Sequence, residues 1–279
     1  MTTPANDYEG TLTTIALLVS QLRQEHSIAP DVPVGIGIPG TISPHSGLVK
    51  NANSTCLIGK QLDADLTRIL ACPVRLANDA DCFTISEAID GAGAGQQAVF
   101  GVILGTGVGG GLAIDRKLWV GPNAITGEWG HNPLPWPHDG TNAPIAEDER
   151  PGPSCYCGKQ GCIETFLSGP GLKADVIRAG GPACDPPEIL DAYSRGETWA
   201  GTALDRYEHR LARALASVIN IIDPGIIVLG GGLSNIERLY ARVPTLWDDW
   251  VFSDRCDTVL AKNLHGDSSG VRGAAWLWP

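Results

Sequence analysis

Residues 98–115 read AVFGVILGTGVGGGLAID: an apolar run, a glycine-rich turn, then a second run of small and apolar residues. This is the pattern of two strands joined by a glycine turn. A related unit, IIVLGGGLSN at 226–235, reads as strand, glycine turn and helix start. Glycines placed directly after a strand let backbone N–H groups approach phosphate oxygens, and the Thr106 hydroxyl adds a donor. The candidate phosphate-cradling residues are therefore Gly105, Thr106, Gly107, Val108, Gly109, Gly110 and Gly111 in the first turn, with Gly230 and Gly231 in the second. A tight hairpin or a packing turn would use the same glycines, and neither loop is a Walker A sequence, because no GK[ST] follows. Strand–glycine–helix units that recur along a chain indicate an α/β fold with its ligand at the strand ends.

Working outward, TLTTIALLVSQLR (11–23) carries apolar residues at helical spacing. VPVGIGIPG (32–40) reads as a buried strand running into a turn, and a helix over about 62–70 leads to the strand PVRLAND (73–79). DCFTISEAIDGA begins a helix directly after it. The stretch 121–160 is rich in Pro, Gly, Asn and Trp and reads as loop. A long helix spans 201–222, with Leu204, Tyr207, Leu211, Leu215, Val218 and Ile222 at three- and four-residue steps, and Asp223-Pro224 stops it. The end, SSGVRGAAWLW (268–278), is helical in period.

Bulk properties narrow the function classes. A chain of 279 residues can build two lobes or one large α/β domain. Its net charge of −11 argues against a nucleic-acid face, which needs clustered Lys and Arg. The apolar runs fall short of a membrane span, and MTTPANDYEG has neither a basic n-region nor an apolar h-region, so a soluble, cytoplasmic protein is expected. Cys56, Cys72, Cys82, Cys184 and Cys256 are scattered singly and suit small buried hydrophobes better than disulfides.

Two further stretches carry chemistry. In LANDAD (76–81), Asp79 lies at the end of a strand, where it could serve as a general base or as the N-cap of the next helix. CYCGKQGCIETF (155–166) packs three cysteines into eight positions. With the histidine of GEWGH (127–131), the residues His131, Cys155, Cys157 and Cys162 make a Cys₃His set of the count and softness that tetrahedral Zn²⁺ takes. A redox cluster is the alternative. Four protein ligands leave no open position, so such a zinc is structural. Clamping this loop would hold Glu128 and Glu164 near each other, and paired carboxylates bind neighbouring hydroxyls, which makes a polyol such as a sugar a fitting guest.

GIPG, NANS, NDAD, GTGVGGG, GEWGH, CYCGKQGC-IE and IVLGGG occur in this order over essentially the whole chain. Together they resemble the ROK sugar kinases, and KNANST, GEWGHNPLPW and HGDSSGVRGAAWLWP look particularly like the manno(fructo)kinase subgroup, with N-acetylglucosamine kinases as nearest relatives. The resemblance implies an actin-like ATPase (ribonuclease H-like) α/β fold of two lobes with a cleft. Residues 1–94 plus 266–279 would form the small lobe, and 95–265 the large lobe with the zinc loop and the adenosine site. It implies ATP-dependent phosphorylation of a hexose 6-hydroxyl, with fructose first, mannose second, and N-acetylglucosamine or N-acetylmannosamine as the alternative. Asp79 would be the base, and Asn53, Asn78, Glu128, His131 and Glu164 would hold the sugar. ATP would lie on the two glycine turns with Mg²⁺, beside a structural Zn²⁺, and a homodimer is expected.

The family pattern opens with an apolar strand and a DxGGT phosphate turn. This sequence begins with the family's first helix, so about 30 residues and part of the N-terminal sheet are expected to be missing, exposing the apolar face of VPVGIGIP. A start codon placed too late is the expected cause, and an inactive truncated product that retains only sugar binding is the alternative. A sugar-responsive repressor of the same family would need DNA-binding helices, and no helix-turn-helix sequence precedes position 10.

Overall fold

The computed structural model describes residues 4, 6–137 and 149–278. Residues 138–148, part of the expected loop, lie outside them. The chain runs through α1 (Tyr8–Glu25), β1 (Val34–Ile38), the short hairpin β2 (Thr41–Ile42) and β3 (Val49–Lys50), α2 (Leu62–Leu70), β4 (Val74–Asn78) and α3 (Asp79–Asp90). It continues with β5 (Ala98–Leu104), β6 (Val108–Ile114), β7 (Lys117–Leu118), α4 (Glu164–Leu167), α5 (Gly169–Arg178), α6 (Pro186–Ser194) and α7 (Thr198–Ile222). Last come β8 (Ile226–Gly230), α8 (Arg238–Trp247), β9 (Val259–Lys262) and α9 (Ser269–Ala275).

The sequence units fall close to these bounds. α1 starts earlier than its apolar stripe because Asp7 caps it, accepting from the Gly10 N–H. α7 ends where expected, its C-cap Asp223 turning into the left-handed region at φ 50°. Helical periodicity did not point to α6, although Asp185 and Glu188 form a capping box ahead of Pro186-Pro187.

Five strands form the main sheet in the order β7-β6-β5-β8-β9. β5 and β6 pair antiparallel from Ala98↔Ile114 to Leu104↔Val108, so the turn proper is only Gly105–Gly107. Val108 to Gly111, expected to be loop, are strand residues of β6. β8 lies parallel to β5, with Gly230 opposite Ile103. The two glycine turns therefore sit side by side at one end of neighbouring strands. α3 crosses this sheet closely: a Cβ on Gly111 would lie 2.5 Å from the Thr84 Oγ1. Part of the glycine run thus serves helix-on-sheet packing.

β1 pairs with β4, parallel, up to Ile38↔Asn78. Around them Leu12, Ile38, Val49, Leu57, Leu62 and Leu66 form a separate small core. α9 lies between this pair and α3, so tightly that a Cβ on Gly273 would fall 1.6 Å from the Cys82 carbonyl oxygen. The apolar face of 32–39 is only partly open. Ile38 is buried and Val34 and Ile36 are half-buried, whereas Val32 is exposed. A much larger core fills the space between the main sheet and α4–α8, built on Leu104, Phe166, Leu204, Leu211, Leu215 and Trp247. Among the described residues, no helix is long and apolar enough to cross a membrane.

Candidate active site

The ends of β1, β4 and β5 open onto one cleft of about 300 Å³. Pro39, Gly40, Thr41, Asn51 and Asn53 line one wall, and Asn78 to Asp81 lie at the start of α3. Gly105 to Gly110 line the cleft as well, together with Glu128, His131, Tyr156 and Glu164. Asn53, Asn78, Asp79, Glu128, His131 and Glu164, read from the sequence as sugar-side residues, therefore meet here. So do Gly105, Thr106, Gly107, Val108, Gly109 and Gly110. Three expected binding positions fall outside the lining. Gly111 packs under α3, Gly230 against the Phe83 ring, and Gly231 against the Leu104 carbonyl at the strand ends.

Asp79 is placed by the first turn of α3. Asn78, not Asp79, is the N-cap; the Ala80 N–H donates to Asn78 Oδ1 at 2.9 Å and also to Asp79 Oδ1 at 2.8 Å. Asn78 Nδ2 also donates to the Gly40 carbonyl at 3.3 Å, tying α3 to the end of β1. Burial raises the Asp79 carboxyl above its ordinary value, with the backbone hydrogen bonds pulling the other way. Asp81 is a cleft residue the sequence reading missed. Burial, then the charges of Asp79 and Glu128, push its carboxyl up to about 7. Its signal was the second acid of NDAD.

Glu164 begins α4 and accepts the Val108 N–H at 3.0 Å, joining the segment after the cysteine loop to the start of β6. Glu128 opens a 3-10 turn, Glu128–His131, which lies on β6: the Trp129 indole N–H donates to the Gly109 carbonyl at 3.1 Å. His131 carries that turn into the cysteine loop. Its Nδ1 faces the Cys155 sulfur at 3.6 Å, and its Nε2 is 2.9 Å from the Tyr156 hydroxyl.

The ligand atoms of His131, Cys155, Cys157 and Cys162 all lie within 4.8 Å of one another, and Cys157 and Cys162 sulfurs are 3.6 Å apart. A tetrahedral ion with bonds of about 2.3 Å to sulfur and about 2.0–2.1 Å to nitrogen sets S···S near about 3.8 Å and S···N near about 3.6 Å. The four donors fit a zinc ion. Burial pushes the Cys162 thiol up to about 12 and the Cys155 thiol in the same direction, the cost of crowding sulfur that a divalent cation reverses. The scattered cysteines form no disulfide.

A strand-end cleft lined by a glycine turn, by Asp79 and by carboxylates on a segment that also carries the cysteine cluster defines the class. The chain belongs to the ROK family, whose family model matches residues 1–279, and its fold is the actin-like ATPase fold of that family. It is 39% identical to the N-acetyl-D-glucosamine kinase of Vibrio atlanticus (strain LGP32) over 279 residues, 99% of this chain and 89% of that protein. Among solved structures it is similar to the ROK hexokinase from Thermus thermophilus, at 25% identity and a TM-score of 0.82 over 99% of this chain and 87% of the other. It is likewise similar to the ROK family glucokinase from Streptomyces griseus in complex with glucose and AMPPNP, at 25% identity and a TM-score of 0.77 over 99% and 89%.

Proposed function

We propose that the protein is an ATP-dependent sugar kinase that phosphorylates the 6-hydroxyl of N-acetylglucosamine. The observation that carries the kinase reading is the position of Asp79: a carboxylate on the first residue of α3, directly after β4, that lines the same cleft as Gly105–Gly107, Glu128, His131 and Glu164. The substrate rests on relatives. N-acetyl-D-glucosamine kinases of Vibrio and neighbouring genera match 99% of this chain at 36–39% identity. Fructose, placed first by the motifs alone, becomes the second reading.

In this mechanism the sugar lies against Asn53, Asn78, Glu128, His131 and Glu164, its 6-hydroxyl directed to Asp79. Asp79 accepts the hydroxyl proton as the oxygen attacks the γ-phosphorus, and the bond from that phosphorus to the β–γ bridging oxygen breaks to release ADP. A carboxyl raised by burial is better matched to that task near neutral pH than an ordinary one. Phosphoryl transfer has a loose transition state, so positioning and neutralisation of charge carry most of the rate. The backbone N–H groups of Thr106 and Gly107 and the Thr106 hydroxyl would face the ATP phosphates, the Gly105 N–H being taken by the Gly107 carbonyl. Gly230 and Gly231, at the end of the neighbouring strand and outside the cleft lining, would lie toward the adenosine. Mg²⁺ bound with the nucleotide would supply charge neutralisation. His131, Cys155, Cys157 and Cys162 would hold a structural zinc that fixes the loop bearing Glu128 and Glu164.

The same reading divides the chain into a lobe of 1–94 with 266–279 and a lobe of 95–265, closing on sugar to exclude water. A homodimer accompanies the family assignment, and sedimentation would test it. The deciding experiment is ADP release measured with N-acetylglucosamine, N-acetylmannosamine, glucose, mannose and fructose. N-acetylglucosamine should give the highest kcat/KM; fructose ahead of it would reverse the substrate order, and no sugar-dependent ADP release would end the kinase reading.

A further inference from the structure

A second cavity, of about 320 Å³, lies where the end of α5 meets the start of α7, and it shares no described lining residue with the cleft. α5 contributes Val176 and its C-cap Ala179; α7 contributes Trp199, Thr202, Ala203 and Arg206. The volume falls at the lower end of the roughly 300–1,000 Å³ over which small-molecule pockets occur. Arg206 is the only charged residue of the described lining, and it is just 6% exposed.

The Arg206 guanidinium is satisfied along one edge only. Its Nε and Nη2 both donate to Asp175 Oδ2, at 2.9 and 2.6 Å. Nη1 has no partner among the described residues. Nor is it sealed in, since the described side-chain atoms enclosed without a hydrogen-bond partner belong to Ser86, Glu208 and Trp278. Nη1 therefore borders open space, and the cavity is open space that Arg206 lines. A guanidinium carries five N–H donors and no acceptor, so this corner can only donate.

The rest of the lining has little polarity to spare. The Trp199 indole N–H is taken by Glu197 Oε2 at 2.6 Å, and the Thr202 hydroxyl donates to the Thr198 carbonyl at 3.0 Å. Val176 and Ala203 are buried and apolar. Water fills such a space poorly, because each buried molecule needs about two to four polar partners. The complement of this lining is an anionic acceptor carried on an apolar body. Asp175 already takes part of the Arg206 charge, so a carboxylate monoanion matches the remainder better than a phosphate dianion does.

We propose that this cavity is a binding site for a small carboxylate with an apolar body, its oxygens accepting from Arg206 Nη1 and its body lying against Trp199, Val176 and Ala203. The site stands apart from the kinase reading, and its test needs no turnover.

The test is calorimetry of the protein with phenylacetate and with three probes that each change one feature. Phenylacetamide lacks the charge, acetate lacks the apolar body, and benzylphosphonate is a dianion. Phenylacetate should bind one to one, and the other three at least about tenfold more weakly. Arg206→Lys keeps a cation for Asp175 but loses the fork that reaches Asp175 and a ligand together, and should weaken phenylacetate about tenfold. Ala179 is exposed, so Ala179→Phe obstructs the cavity without touching the buried ion pairs and should abolish binding. Denaturant titration verifies that each variant is folded; should Arg206→Lys fail to fold, Ala179→Phe carries the test. Absence of one-to-one phenylacetate binding would mean a water-filled cavity and overturn the site. Unchanged affinity in a folded variant would overturn it too. Equal affinity for phenylacetamide or acetate, or tighter binding of benzylphosphonate, would overturn the ligand class.

Discussion

Asn78 and Asp79 share one backbone donor: the Ala80 N–H lies 2.9 Å from Asn78 Oδ1 and 2.8 Å from Asp79 Oδ1. Asn78 provides the cap, so Asp79 is free of that duty and its carboxylate is held facing the cleft. Replacing Asp79 by Asn keeps the size and the acceptor oxygen but removes the base. We expect kcat to fall about 10²–10⁴-fold while calorimetric binding of ATP and sugar persists. Because the carboxyl is raised by burial, the acid limb of kcat/KM in the wild type should lie above the ordinary Asp range near about 3.9. Activity is present above that pKa and lost as pH falls through it. Near-normal turnover in the variant would remove Asp79 from the chemistry.

The His131, Cys155, Cys157 and Cys162 donors bring together two chain segments 24 residues apart, His131 and Cys155. Metal analysis should find about one zinc per chain. Stripping it with a strong chelator should release the Glu128–His131 turn and cost about 100-fold in kcat/KM, the scale attached to a displacement of about 1 Å in positioning groups. Re-addition of zinc should restore the activity. A fully active metal-free protein would leave the sulfur cluster without its structural role.

A buried ionic layer fixes the long helix beneath this loop. Arg206 and Arg210 bond to Asp175 on α5, and Arg210 and Arg213 to Glu149, with all five side chains between 0 and 6% exposed. Arg213 also donates to the Trp136 carbonyl, five residues beyond His131. Removing one partner strands a buried charge, which typically costs about 3–5 kcal/mol. Glu149→Ala should destabilise the fold by that amount in denaturant titration. A loss below about 1 kcal/mol would mean that the site rehydrates and the layer is not structural.

Much of the site could be read in the sequence because its chemistry is local. GTGVGGG follows an apolar strand, and the Cys-x-Cys spacing puts three of four metal donors within eight residues. What the chain concealed depends on tertiary approach. Gly111 looks like phosphate-loop glycine but exists because α3 presses Thr84 onto the sheet. Tyr156 reaches the cleft only because Cys155 and Cys157 on either side of it turn to the sulfur cluster. The capping role assigned in alternation to Asp79 belongs to Asn78, one residue earlier, a distinction that strand length decides. The loop 120–126, which contributes Val120, Ile125 and Thr126 to the cleft, has no polar pattern to mark it; Lys50 holds it from β3 by donating to the Asn123 carbonyl at 2.6 Å.

Asp81 gives the last prediction, on stability against pH. Its carboxyl is pushed up to about 7 in the folded chain by burial and by Asp79 and Glu128, against 3.8 for the free group. Between these values the native state retains a proton that the unfolded state has released. The stabilising contribution is therefore full below about pH 4 and is lost as pH rises through about 7. With the cleft partly open to water, the loss should be on the order of 2 kcal/mol. Denaturant titrations at pH 5 and pH 8 should show the wild type weaker at pH 8. Asp81→Asn, which cannot ionise, should remove most of that difference and be the more stable protein at pH 8. Parallel pH dependence in the two proteins would place the titrating group elsewhere.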